Sequence, residues 1–332
     1  MITHYYHSGF SVANGDTLLV FDYWRGEEGE LTEALQLSEE QLRAFANVVV
    51  FISHEHVDHL DPIVFTWKDL TNVSYIVSSD MPVGTRGKRM APGDMFTPVE
   101  GVDVLAYDST DLGVSFLVDF RGVKFFHAGD LNFWHWREES TMREIEEADA
   151  EFRKAVAPLK GVQIDVAFFP VDPRQGTLFE AGANYFILCV KPRILIPMHY
   201  FHRADVALEY ARTASCPSTE VVAMPLYGDA LTLSPEEDGY FDIQFSRAER
   251  ISPDEMPSAG GPPPAPEAPP EPGEPLRSDE PETPETEAVP EPVPPPPEPA
   301  SADGLLDEDD PFAESDLPVA QLLDSEEESG DM

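Results

Sequence analysis

Asn47–His59 reads NVVVFISHEHVDH. A short unbroken apolar run such as VVVFI marks a buried strand. Directly after it, Ser53–His59 crowds three of the chain's nine histidines and two acids into seven residues. Such a cluster at a strand end is costly to assemble unless something binds it, and a metal ion is the obvious candidate. His54 and His56 are two apart, and in an extended segment residues i and i+2 point the same way, so both imidazoles can grip one ion. Asp58 and His59 follow, where a turn into a helix is expected, and would face a second point nearby. Neutral imidazole with carboxylate suits zinc, and also manganese or iron.

Similar apolar runs recur on both sides of this stretch. TLLVFDYW (Thr17–Trp24) reads as a strand after an Asn-Gly-Asp turn, and SYIVSS, GVDVLAY, VSFLVDF and VKFFHAGD read as further strands. VQIDVAFFPV and PRILIPMHY flank a helix expected at Ala181–Val190, and another strand is expected at Ala230–Leu233. A helix is expected over Ser38–Ala46, with Ser38 as N-cap and Gln41 completing a capping box. A long charged helix is expected over Glu138–Val156, acids early and Arg153 and Lys154 late, in keeping with its dipole. Strands dominate the first half and helices enter later, which suits two sheets with helices outside.

Composition divides the chain at about Ile251. Residues 251–332 hold 21 of the 33 prolines, and 24 acids against one base, Arg277. Proline removes backbone donors, and too few apolar side chains remain to offset the entropy of ordering. A domain over residues 1–250 followed by a disordered Pro/Glu-rich acidic tail over 251–332 is the expected organisation. The last stretch mixes Leu, Phe and Val into acid and can fold on a protein partner. The bland reading is a solubilising tail. A formal charge of −42 makes nucleic acid an unfavourable partner. No run of about 18 apolar residues predicts a membrane span. MITHYYHSGF lacks the basic region and apolar core of a signal peptide, and Cys189 and Cys216 suggest no disulfide framework. The expected setting is cytoplasmic.

Three segments in order carry a resemblance: HxHxDH at His54–His59, the Gly-Asp of FFHAGDLN ending in Asp130, and the histidine of ILIPMHY at His199. Together, over about Ile2–Leu233, they resemble the metallo-β-lactamase superfamily of metal-dependent hydrolases, and within it an uncharacterised branch with a lactonase-like and phosphodiesterase-like layout. The resemblance implies an α+β fold, a four-layer αβ/βα sandwich. It implies that His54 and His56 hold a first metal, that Asp58, His59 and His199 hold a second, and that Asp130 bridges them. One or two Zn²⁺ ions are implied, with Mn²⁺ or Fe²⁺ as alternatives. One departure stands out. The family usually places a histidine between the first motif and the bridging aspartate, and none lies between His59 and His127. The loop LAYDSTDLGVSF (Leu105–Phe116) stands in its place. Asp108 or Asp111 can replace the histidine by an oxygen bond, and Asp108 enters the expected ligand set. His127, three residues before Asp130, would face the opposite side of its strand.

The implied chemistry is a metal-bound hydroxide acting on an ester, lactone or phosphodiester bond of a small molecule. Asp58 or Asp130 would hold the nucleophile and take its proton. His7 and Arg174 are candidate substrate-side residues, the arginine because its fork suits carboxylate and phosphate. Asp22 is placed to orient one of the histidines. Trp134, His135 and Trp136 either line the pocket or lie over the core. Iron-based oxygen or nitric-oxide reduction is disfavoured, because similar diiron proteins carry Glu where His56 stands. The alternative from another class is a non-catalytic, metal-poor binding protein acting through its acidic tail.

Overall fold

The computed structural model describes residues 1–27, 30–214, 216–236 and 241–246. The tail expected from residue 251 onward lies outside them. The chain first builds one sheet from β1 (Ile2–His4), β2 (Phe10–Asn14), β3 (Thr17–Phe21), β4 (Asn47–Ile52), β5 (Val73–Ser78) and β6 (Lys88–Met90). A second sheet follows from β7 (Met95–Val99), β8 (Val102–Tyr107), β9 (Ser115–Phe120), β10 (Val123–His127), β11 (Val166–Pro170), β12 (Ile194–Met198) and β13 (Glu220–Val221). The chain then returns to the first sheet with β14 (Ala230–Pro235) and β15 (Phe241–Ser246), β14 pairing antiparallel with β1. Strands β3 to β6 run parallel in the first sheet, and β10 to β13 run parallel in the second.

Side-chain alternation explains the layers. On β3 and β4, Leu19, Phe21, Val49 and Phe51 face the second sheet. Their neighbours Leu18, Val20, Val48, Val50 and Ile52 face outward, into a separate core with Leu42, Val64 and Trp67. Both faces are therefore buried, which is why these strands read as unbroken apolar runs. Between the sheets, Phe10 meets Phe168 at 4.5 Å and Phe51 meets Phe116 at 5.3 Å. Each fully buried aromatic of this kind contributes roughly 1.5–3 kcal/mol. On β11 the next residue, Phe169, points the other way and stacks on Phe186 at 4.5 Å.

Phe186 belongs to α3 (Ala181–Val190), which follows α1 (Glu39–Arg43) and α2 (Met142–Val156) and precedes α4 (Ala204–Thr213). The order of layers is thus helix, sheet, sheet, helix, the four-layer αβ/βα sandwich expected. Ser38 caps α1 in the expected capping box with Gln41. Helix α2 begins later than the expected Glu138. Thr141 accepts from Glu144 N, and Glu144 reaches back to Thr141 N, so the helix starts at Met142. The Glu138 carboxylate is used elsewhere, accepting the Thr177 backbone N–H at 2.9 Å. No α-helix opens at His59 either. The chain turns there and enters a 3-10 segment at Pro62–Asp69, capped by the Asp61 side chain. Among the described residues no helix is long and apolar enough to cross a membrane.

Candidate metal centre

Five loops meet at one end of the sandwich, each at the carboxyl end of a parallel strand. Asp22 follows β3, Ser53–His59 follow β4, Asp130 follows β10, Asp172 follows β11 and His199 follows β12. This is the edge where open α/β sheets place their ligands. His7 joins them from the turn between β1 and β2. Non-glycine residues with positive φ gather here: His7 (54°), Asp22 (39°), His199 (67°) and Phe201 (49°). Each costs of order 1–3 kcal/mol and persists because the surroundings dictate it, a pattern typical of functional sites.

Asp130 lies at the centre, 4% exposed. Its Oδ1 is 2.9 Å from His59 Nε2 and 3.1 Å from His199 Nε2. Its Oδ2 is 3.2 Å from His54 Nε2 and 3.9 Å from His56 Nδ1. On one side, ligand atoms of His7, Asp58, His59 and His199 lie within 4.8 Å of one another; on the other, those of His56, Asp111 and Asp130 do the same, and so do those of His54, His59 and Asp130.

The outer hydrogen bonds decide where the imidazole lone pairs point. His59 Nδ1 donates to Asp22 Oδ2 at 2.8 Å, and His199 Nδ1 donates to Asp172 Oδ2 at 2.9 Å. Ser53 Oγ donates to Asp22 Oδ2 at 2.6 Å, so it accepts from His54 Nδ1 at 2.9 Å. The Nε2 atoms of His59 and His199 are therefore left aimed at Asp130, while that of His54 meets His56 Nδ1 at 3.0 Å. His59 Nε2, His199 Nε2 and Asp130 Oδ1 are buried, and none has a hydrogen-bond partner despite the short distances. Acceptors turned on acceptors at 3 Å repel unless a cation stands among them.

Without a metal ion, the same demand for positive charge is met by protons on the imidazoles. Burial disfavours a charged His59, yet Asp130 and Asp22 hold its pKa well above the usual value. His199 is pushed up to about 9 against the same burial, by Asp130 and Asp172. Burial alone would raise Asp130, but His59 and His199 hold it well below the usual carboxylate range. Asp58 is likewise held low against burial by His7, His59 and His199. The cluster demands positive charge, and a donor set of imidazoles and carboxylates fits divalent metals.

The structure brings His54, His56, Asp58, His59, Asp130 and His199 together. It does not bring Asp108. That side chain is exposed and accepts the Ser109 backbone N–H at 3.1 Å. Asp111 is the loop carboxylate beside His56, with its Oδ1 held by Leu112 N at 2.8 Å. The loop reverses on Gly113, at φ 85°, where a Cβ would run into the Ser53 carbonyl oxygen. His127 lies behind the site. Its Nδ1 accepts from Gly129 N and its Nε2 donates to the Ser8 carbonyl, so it has no lone pair to offer.

His7 is fully buried, with its ring 4.0 Å from that of His199. Burial, then His199, pushes its pKa down to about 3, so it is neutral. Its Nδ1 accepts the Phe201 backbone N–H at 3.3 Å, which puts its proton on Nε2. That nitrogen faces Asp58 Oδ2 at 3.4 Å, long and poorly aligned. Arg174 lines the open pocket of about 760 Å³ above the cluster, together with Trp134, Trp136 and Thr110. His135 turns inward, its Nε2 donating to the Leu178 carbonyl at 3.2 Å. Sequence reasoning missed the partnership of Asp172 with His199. The available signal was position: Asp172 follows its strand as Asp22 follows β3.

No protein-family model matches the sequence, and no curated protein matches it. Solved structures do resemble it. A proposed metal-dependent hydrolase from Parabacteroides distasonis shares 18% identity over 68% of this chain and 92% of its own, with a TM-score of 0.46. A metallo hydrolase from the archaeon Ignicoccus hospitalis shares 17% over 75% and 98%, with a TM-score of 0.49. A proposed zinc-dependent hydrolase of the metallo-β-lactamase superfamily from Thermotoga maritima shares 18% over 67% and 97%, with a TM-score of 0.38. Two sheets with flanking helices, and ligand-rich strand ends at one edge, are what this chain's own topology shows.

Proposed function

We propose that this chain is a metal-dependent hydrolase with a two-site centre, acting on an ester, lactone or phosphodiester bond of a small molecule. His54, His56 and Asp111 would hold the first ion, Asp58, His59 and His199 the second, and Asp130 would lie between them. The observation that carries this reading is the meeting of His59 Nε2, His199 Nε2 and Asp130 Oδ1, buried and without hydrogen-bond partners, each imidazole backed by a carboxylate.

When bound, such a pair supplies a water of lowered pKa and polarises the scissile oxygen. The chain's own residues do the rest. Asp22 and Asp172 hold His59 and His199 in the tautomer that presents Nε2 inward. Asp58, ionised at neutral pH and 18% exposed at its side chain, faces the pocket and can align an entering water and take its proton. His7 Nε2 faces Asp58 from the buried side at 3.4 Å. Each site would have two imidazoles and one carboxylate of its own, with Asp130 shared, a donor set that suits zinc and also manganese or iron.

Elemental mass spectrometry on the full-length chain, purified without chelator, tests the reading. About two ions per chain are expected, falling to about one in His199→Ala and in Asp111→Ala. Turnover of nitrophenyl esters and phosphodiesters should follow the metal content. A chain that stays metal-free after incubation with zinc, manganese and iron overturns the proposal.

A further inference from the structure

The pocket above the cluster has two unlike walls. One is aromatic. Trp134 and Trp136 stack with centroids 5.8 Å apart and planes within 10°. The Trp134 indole N–H donates to the Asp130 carbonyl at 2.9 Å, which pins the ring with its centroid 5.4 Å from that of His199. Trp136 sits at φ 41°, a strained backbone for a bulky residue, held by Glu139 N and Ser140 N on its carbonyl. Both indoles remain only partly buried, whereas the core tryptophan Trp67 is 2% exposed. A stacked aromatic pair left open beside a polar centre offers a face to a ligand.

The other wall is Arg174. Its Nε and Nη2 grip Asp172 at 2.9 and 2.6 Å, and its plane lies over Phe201 at 4.6 Å. Asp172 is the same carboxylate that holds His199 Nδ1. The guanidinium is therefore held in register with an imidazole of the metal centre. Its Nη1 bonds to none of the described residues, and its side chain is 43% exposed. Among the pocket-lining residues it is the one Lys or Arg, beside Glu55, Asp58 and Asp111. A lysine would neutralise Asp172 equally well; a guanidinium leaves a further donor edge for an anion.

We propose that this pocket selects a small substrate bearing an anionic group, carboxylate or phosphate, which Arg174 receives, and a flat ring, which lies on Trp134. This deepens the hydrolase reading and rests on it for the chemistry that follows binding.

Isothermal titration of the zinc-loaded, full-length chain tests it without turnover. The probes are phenylphosphonate and phenylacetate, with methylphosphonate and acetate as their ringless counterparts. Each ring-bearing anion should bind roughly two- to tenfold more tightly than its counterpart, and Trp134→Leu should erase the difference. Arg174→Met, which keeps an apolar stem on Phe201, should weaken all four by roughly tenfold or more per zinc bound. Arg174→Lys should recover part of that loss. The tighter head group assigns carboxylate or phosphate. Loss of either dependence, ring on Trp134 or anion on Arg174, overturns the proposal. If esters are hydrolysed while the titrations show neither, the hydrolase reading stands and the substrate class falls. If the titrations hold and nothing is hydrolysed, the pocket stands and the hydrolase reading falls.

Discussion

Asp22 Oδ2 lies 2.8 Å from His59 Nδ1, and neither side chain reaches solvent. The same oxygen accepts from Ser53 Oγ, whose other side meets His54. One carboxylate thus sets the tautomer of an imidazole on each side of Asp130. Asp22→Asn keeps the shape and removes the charge. Zinc affinity, read by competition with a chromogenic chelator, should fall roughly 10- to 100-fold. Unchanged affinity would show that Asp22 does not orient these ligands.

Asp111 and Asp108 lie three residues apart in one loop, both exposed, yet of the two Asp111 stands beside His56. Asp111→Ala should lose about one ion per chain, and Asp108→Ala should lose none. Asp111→His should keep the ion and shift its preference toward zinc, because imidazole replaces a harder oxygen. Elemental analysis after exposure to equal zinc and manganese checks both. Loss of metal in the Asp108 variant would return that residue to the ligand set.

Gly113 lets the loop carrying Asp111 dock on the first motif. Its φ of 85° suits glycine, and an added methyl would meet the Ser53 carbonyl. Gly113→Ala should cost about 1–3 kcal/mol in chemical denaturation from backbone strain alone. It should also release the first-site ion before the second. A variant with full stability and full metal content would remove the loop's geometry from the account.

His4 stacks on Phe10 at 4.8 Å and is fully buried. Burial pushes its pKa down to about 4, against the pull of the Met224, His7 and Leu226 carbonyls. Between pH 6.5 and 4 the unfolded chain therefore binds a proton that the folded chain refuses. The stability linked to His4 is complete above pH 6.5, is lost as the pH falls, and levels off below 4. Its size is about 3 kcal/mol. Urea midpoints of the wild type should fall more steeply over that window than those of His4→Leu. Parallel curves would show that His4 takes no part.

Much of the fold was legible because its strands are buried on both faces. Asn47–Ile52 and Ile194–Met198 are apolar runs that no other element explains as well. Strands β6 and β7 escaped notice for the opposite reason. Lys88–Met90 and Met95–Val99 are partly exposed edge strands, with no apolar run or clean alternation to show them. The start of α2 was misplaced because Arg137–Glu139 has a helix-like composition, while the choice of first turn belongs to Thr141.

The sequence by itself determined the two-layer strand pattern and the strand-end cluster at His54–His59, because side-chain alternation and i, i+2 proximity are local. Tertiary structure alone decided which loop aspartate stands beside His56, which carboxylate backs each imidazole, and which way His7 presents its proton. Those depend on contacts such as Asp22 with His59 and Asp172 with His199, 37 and 27 residues apart. Both loop aspartates are exposed, and only the packing of the strands sets which of them stands beside His56. No spacing in the chain records that choice.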